Sequence, residues 1–204
     1  QLLDEKLMPI DVVPVPLPGW SVLCRGAGGG TGLARSWYVA LGGNTGNGKS
    51  LVGINCAAHA AAHGHVAAIL SLEMVRSEIV TRYMAIATDT PVAKLEQGAA
   101  FSAETFRTTA YKLDAIRKET GGHVLVNRRP LSKLTDVTAS MRYYAETFGV
   151  RLFVVDYLQL ITTTGKASVQ DRMEEVSHTI RDLTMQLNVC TLALSQFNRE
   201  TSRM

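Results

Sequence analysis

From Gly43 the chain reads Gly-Asn-Thr-Gly-Asn-Gly-Lys-Ser, ending at Ser50, and this G-x-x-x-x-G-K-S spacing constrains the fold more than any other stretch. Glycines 43, 46 and 48 admit backbone dihedrals closed to residues with a Cβ. The N–H groups of the loop Gly43, Asn44, Thr45, Gly46, Asn47 and Gly48 can therefore turn toward one point at the positive end of a helix. That concavity suits phosphate. Lys49 supplies a point charge for the outer phosphates of a triphosphate, and the Ser50 hydroxyl suits Mg²⁺ bridging two of them. Apolar Trp37 to Leu41 precedes the loop and an alanine-rich segment follows it, giving the strand, loop and helix that the mechanism needs. A glycine turn beside a solvated lysine is the structural alternative, and the flanking elements argue against it.

Around this loop the composition sets limits. The 204 residues suit one α/β domain, and the 46% hydrophobic content supports a packed core. Twenty-one basic against 18 acidic residues leave +3, far from a protein that coats nucleic acid indiscriminately, so any such contact is local. Cys24, Cys56 and Cys190 are far apart with no C-x-x-C, which reads as reduced thiols, a cytoplasmic setting and no zinc site. The uncharged run Leu51 to Leu70 has membrane-span length, but Asn55, His59, His63, Gly64 and His65 interrupt it. It reads as a helix ending near His63-Gly64 and a strand from His65. No stretch of the chain reads as a signal peptide, and none is expected.

In chain order, residues 1–32 read as a proline- and glycine-rich connector, four of the six prolines falling before residue 20. The domain proper is expected from Leu33 to 204. Strands are predicted at 37–42, 65–72, 123–127, 151–156 and 189–194, and helices at 49–62, 75–88, 102–118, 135–147 and 169–187. Within the helices, Val75, Ile79, Tyr83 and Ile86 share one face, and Phe106, Ala110 and Leu113 another. The stripe Val169, Met173, Val176, Ile180, Leu183 and Leu187 reads as core. Leu152 to Val155 is apolar without alternation, as in the middle of a parallel sheet. The whole is an α/β fold with a mainly parallel twisted sheet covered by helices on both faces.

Ligands of such sheets sit beyond the carboxyl ends of the strands, and three apolar strands here end in costly polar groups. Asp156 fits the acidic partner of Mg²⁺, Glu73 a base for the attacking water, and Gln196 a hydrogen-bonding partner of the terminal phosphate. Each has a structural alternative, since carboxylates cap helices and glutamine solvates loops.

The stretches Gly43 to Ser50, Leu70-Ser-Leu-Glu-Met74, Val154-Val-Asp-Tyr-Leu-Gln-Leu-Ile161 and Leu194-Ser-Gln-Phe-Asn-Arg199 resemble, in order and spacing, the motifs of DnaB-like replicative helicases. Asp171 to Ser177, Arg82 and Gly98 fall in with that pattern, and the resemblance covers about residues 33 to 199. It implies a RecA-like P-loop ATPase domain that couples ATP hydrolysis, with Mg²⁺, to movement on single-stranded DNA and duplex unwinding in replication. It implies a homo-oligomer, in this family a hexameric ring, with primase and a helicase loader as partners and no membrane. Under it Lys49, Glu73 and Gln196 serve catalysis, Ser50 and Asp156 hold the metal, and Lys166 and Arg199 are candidates for strand phosphates. The chain departs from the family in lacking a proline in the loop and in carrying Arg128-Arg129 where an acidic residue is common. A start at Gln1 and an end at Met204 read as a fragment without the family's arginine finger, so slow turnover is expected of it. A RecA- or RadA-like recombinase is the alternative enzyme, and a non-hydrolysing nucleotide switch the alternative outside enzymes. GTP is disfavoured by the absence of N-K-x-D or T-K-x-D.

Overall fold

The computed structural model describes residues 12–16, 32–96, 101–129, 131–165 and 168–197. Gly98, Lys166, Arg199 and Cys24 lie outside them. In chain order the elements are β1 (Val12–Val13), β2 (Leu33–Ala34), β3 (Tyr38–Gly43), α1 (Lys49–Ala62), β4 (Val66–Ser71), α2 (Arg76–Ala87), α3 (Ala103–Thr120), β5 (His123–Val126), α4 (Leu134–Phe148), β6 (Val150–Asp156), α5 (Val169–Gln186) and β7 (Cys190–Gln196).

The apolar run before Asp156 takes the place its composition demands. β6 is the middle strand of a five-stranded sheet of order β3-β7-β6-β4-β5, parallel at every pairing. Its side chains alternate between two cores. Leu152 and Val154 pack with Ile54, Ala57 and Ile79 on the side of α1 and α2. Phe153 and Val155 pack with Val137, Met141, Ile180 and Leu183 on the side of α4 and α5. A strand buried on both faces has no polar side to show, which is why the run does not alternate.

Local signals set the helix ends. Ser102 accepts the Thr105 N–H at 3.2 Å and starts α3, while Gly121, at φ 77°, stops it. Ser168 caps α5 through the Asp171 N–H at 3.0 Å. The run Leu51 to Leu70 divides as its interruptions indicate, with His63 as C-cap of α1 and β4 beginning at Val66. No helix among the described residues is long and apolar enough to cross a membrane.

Three sequence expectations need correction. Val75 caps α2 and is 66% exposed, and Val169 opens α5 at 59%, because a terminal residue projects past the sheet whatever its spacing. In α3 the one buried residue is Thr109, with Phe106 exposed. That helix packs on α1 and α2 rather than on the sheet, so its stripe is covered only in part. The segment read as a connector is also tied down where it is described: Val12–Val13 pairs antiparallel with Leu33–Ala34, and Val13, 2% exposed, joins the α1-side core.

Helix α1 lies close against the sheet at Gly53, where a Cβ would stand 2.7 Å from Val154 Cγ1 and 3.4 Å from Leu194 Cδ1. In a free helix Gly→Ala stabilises by about 1 kcal/mol. Here overpacking against a stiff β-branched side chain outweighs it, so Gly53→Ala is expected to lose about 1–3 kcal/mol in urea unfolding. Combining it with Val154→Ala should restore part of the loss.

Candidate active site

The turn after β3 is shaped by two left-handed glycines, Gly46 at φ 83° and Gly48 at φ 75°. No heavy atom lies within 4 Å of a Cβ built at either, so backbone conformation, not crowding, calls for glycine there. Gly48 leads directly into α1, whose first turn has neither a side-chain cap nor an acidic residue. The N–H groups and the positive end of the helix therefore face the loop without competition. Lys49 Nζ lies across the loop and donates to the carbonyls of Gly43 and Asn44, each at 2.8 Å.

Asp156 ends β6 only 4% exposed. Burial holds its carboxyl above the usual carboxylate range. The Ser50 hydroxyl hydrogen-bonded to it, and the Lys49 and Arg82 charges, pull the other way, while Glu73 adds to the rise. Ser50 and Asp156 thus meet although 106 positions apart.

Glu73 stands on the turn after β4, and that turn is built from side chains. Ser71 Oγ accepts the Met74 N–H and donates to the Met74 carbonyl, both at 3.0 Å. The buried Asn127 amide accepts the Ser71 N–H at 2.8 Å and donates to the Ser71 carbonyl at 2.9 Å and the Arg129 carbonyl at 2.8 Å. Asn127 so continues the β4–β5 ladder past Val126. On the other flank the Leu72 N–H donates to the Asp156 carbonyl at 2.8 Å, which holds the Glu73 turn beside Asp156.

Gln196 is the last residue of β7, in register with Gly43, and its side-chain amide donates to Thr45 Oγ1 at 2.5 Å. An open cavity of about 320 Å³ gathers Thr45, Gly46, Gly48, Lys49, Ser50, Glu73, Asp156 and Gln196 on its wall. Gly43, Asn44 and Asn47 are not on that wall. Gly43 and Asn44 take part through the carbonyls that hold Lys49.

Three residues of this neighbourhood had no role assigned from the sequence. Arg82 lines the cavity and pairs with Glu78 at 2.5 Å. Asn127 does the work described above. Gln159, inside the Asp-Tyr-Leu-Gln-Leu stretch, binds the end of β7. The partners of Asn127 and Gln159 are mostly tens of positions away, and only for Arg82 does a helical i, i+4 spacing hint at one.

Residues 29–204 match the family described as DnaB-like helicase C terminal domain. The chain belongs to this family. Among curated relatives, the DnaB-like chain is 26% identical over 176 residues to the replicative DNA helicase DnaB of Geobacillus stearothermophilus, covering 85% of this chain and 38% of that protein. It is 28% identical over 171 residues to a probable plasmid replicative DNA helicase of Chlamydia psittaci, covering 82% and 36%. The chain thus spans little more than a third of the length of these relatives. A solved DnaB-like replicative helicase, described with its interactions with primase, superposes with a TM-score of 0.77 at 19% identity over the whole chain and 48% of its own. A second solved structure, an ATPase domain, gives 0.74 at 19% identity, over the whole chain and 70% of its own. The fold is the RecA-like P-loop fold of DnaB-like domains.

Because the folded state holds the Asp156 proton more tightly than the unfolded chain, stability tied to this group is lost as pH rises from the ordinary carboxylate range through its raised value. Asp156→Asn removes that cost. Its melting temperature should exceed the parent's by about 2–4 °C near neutral pH, about 1 kcal/mol for a chain of this size. The gap should shrink toward about pH 4, the ordinary carboxylate range, in parallel thermal melts.

Proposed function

We propose that this DnaB-like domain is the ATP-hydrolysing motor of a replicative DNA helicase, moving on single-stranded DNA as a homo-oligomeric ring, a hexamer by family analogy. The observation that carries the reading is the convergence of Lys49, Ser50, Glu73, Asp156 and Gln196, from four separate strand ends, on one cavity. The names of the relatives, replicative DNA helicases, point the same way. Primase and a helicase loader belong to the proposal as partners, the first suggested by the primase interactions of the solved relative.

The geometry supports the following roles. The loop N–H groups and Lys49 bind the phosphates of ATP. Ser50 and Asp156 set two hard oxygen ligands side by side on one wall, the donor set that Mg²⁺ takes, and the ion there would neutralise charge on the phosphoryl group in transfer. Glu73, exposed at the cavity margin, accepts a proton from the water whose oxygen attacks the γ-phosphorus as the bond to the ADP oxygen breaks. Gln196 moves its amide from Thr45 to the γ-phosphate and registers its departure. Lys166 and Arg199 are proposed as contacts to strand phosphates.

Two variants of the full-length protein test this. Lys49→Ala should abolish displacement of a labelled strand from a forked DNA with a 5′ or 3′ tail, through loss of nucleotide binding. Glu73→Gln should keep binding of a fluorescent ATP analogue and lower kcat about 10²- to 10⁴-fold. Unwinding that survives in Lys49→Ala would defeat the proposal.

A further inference from the structure

Gln159 sits on the short 3-10 turn Leu158–Leu160 that joins Asp156 to the threonine loop beginning at Thr162. All of its side-chain amide is directed at the end of β7. Nε2 donates to Ser195 Oγ and to the Gln196 carbonyl, each at 2.8 Å, and Oε1 accepts the Gln196 N–H at 3.1 Å. A primary amide offers two donor hydrogens and one carbonyl, so Gln159 grips the main chain of Gln196 as a neighbouring strand would. The grip begins where the sheet ends: the β6–β7 register stops at Val155↔Ala193, leaving Ser195 and Gln196 with β3 as their ladder partner among the described residues.

The connection continues in both directions. On one side the Gln196 amide holds Thr45 of the phosphate loop. On the other, Leu158 and Ile161 are buried at 3% and 0% exposure, and the Thr162 N–H donates to the Ser132 carbonyl at 2.7 Å while the Thr162 carbonyl accepts the Leu134 N–H at 3.0 Å. A turn packed this firmly cannot absorb a displacement of Gln159 internally, so the displacement reaches the root of the 162–165 loop.

We propose that Gln159 is a positioning residue that couples the phosphate loop to the loop after Ile161, through the contacts Thr45–Gln196 and Gln196–Gln159 and then along the packed turn that runs from Gln159 to Thr162. It rests on the helicase reading, in which that loop faces the DNA strand. A change in what Gln196 binds moves residues 195 and 196, and three hydrogen bonds carry the movement to the 158–162 turn. Strand bound at the loop biases Gln196 by the same route. Binding linkage is reciprocal, so strand and nucleotide must alter one another's affinity by one factor.

The test is that factor. In the full-length protein, affinity for a fluorescent dT oligonucleotide is measured with ADP and with a non-hydrolysable ATP analogue, and the ratio is expected within about 5- to 150-fold for the parent. Gln159→Leu, and the isosteric Gln159→Glu, which keeps the acceptor and loses both donors, should each bring the ratio within about twofold of one. Analogue affinity without DNA should stay within about threefold of the parent in both, an effect no larger than one lost neutral hydrogen bond elsewhere would have. Adding Gln159→Leu to Gln196→Ala should cost no further coupling, as for members of one path. A parental ratio in Gln159→Glu, or an additive further loss in the double variant, overturns the proposal, and Gln159→Glu decides alone if Gln159→Leu does not fold. With Lys49→Ala inactive in unwinding, such a result removes only the coupling role. Unwinding by Lys49→Ala removes the helicase reading and the coupling role with it.

Discussion

Burying a carboxyl at the carboxyl end of the central strand is the constraint on which the site depends. Asp156 cannot keep its charge there without help, and the help comes from Ser50 and Lys49 at the start of α1 and from Arg82 on α2. Those groups reach it only if α1 lies close over β6 and β7. Gly53 permits that approach, since any Cβ at this position would run into Val154. The glycine in the middle of α1 and the acid at the end of β6 are therefore parts of one arrangement, although neither touches the other.

The sheet order then does the gathering. With β3 and β4 separated by β7 and β6, the phosphate loop leaves one side of the central pair and the Glu73 turn leaves the other. The cavity between them is lined by Asp156 and Gln196 as well. Parallel pairing throughout brings every strand's carboxyl end to the same edge, which is why residues as far apart as Thr45 and Gln196 share a wall.

Past the last paired residues, side chains replace the backbone ladder. Asn127 prolongs β5 beside Ser71, and Gln159 prolongs β6 beside Gln196. Both are primary amides, which alone among neutral side chains offer a donor and a carbonyl in the pairing geometry of a peptide. Strand ends held this way can shift by exchanging a few hydrogen bonds without disturbing the two hydrophobic cores beneath. A site that must respond to its ligand benefits from rigid strands with adjustable tips.

Much of this was legible in the sequence, because its signals are local. The glycine spacing marks the phosphate loop, hydrophobic period separates α1 to α5 from β3 to β7, and Ser102, Gly121 and Ser168 act on the residues next to them. The unalternating run before Asp156 already identifies a strand covered on both faces. Period failed at the helix tips, where Val75 and Val169 project past the sheet, and in α3, where the partner is a pair of helices. What the sequence determined was the inventory: a nucleotide-binding loop, three polar groups ending apolar strands, and an alternating α/β order. Only the tertiary structure decided which strands are neighbours, that Ser50 meets Asp156, that Val13 belongs to the core, and that Asn127 and Gln159 hold strand ends. Those contacts join residues tens to more than a hundred positions apart, and a hydrogen bond across such a separation depends on strand order and register, which no local pattern encodes.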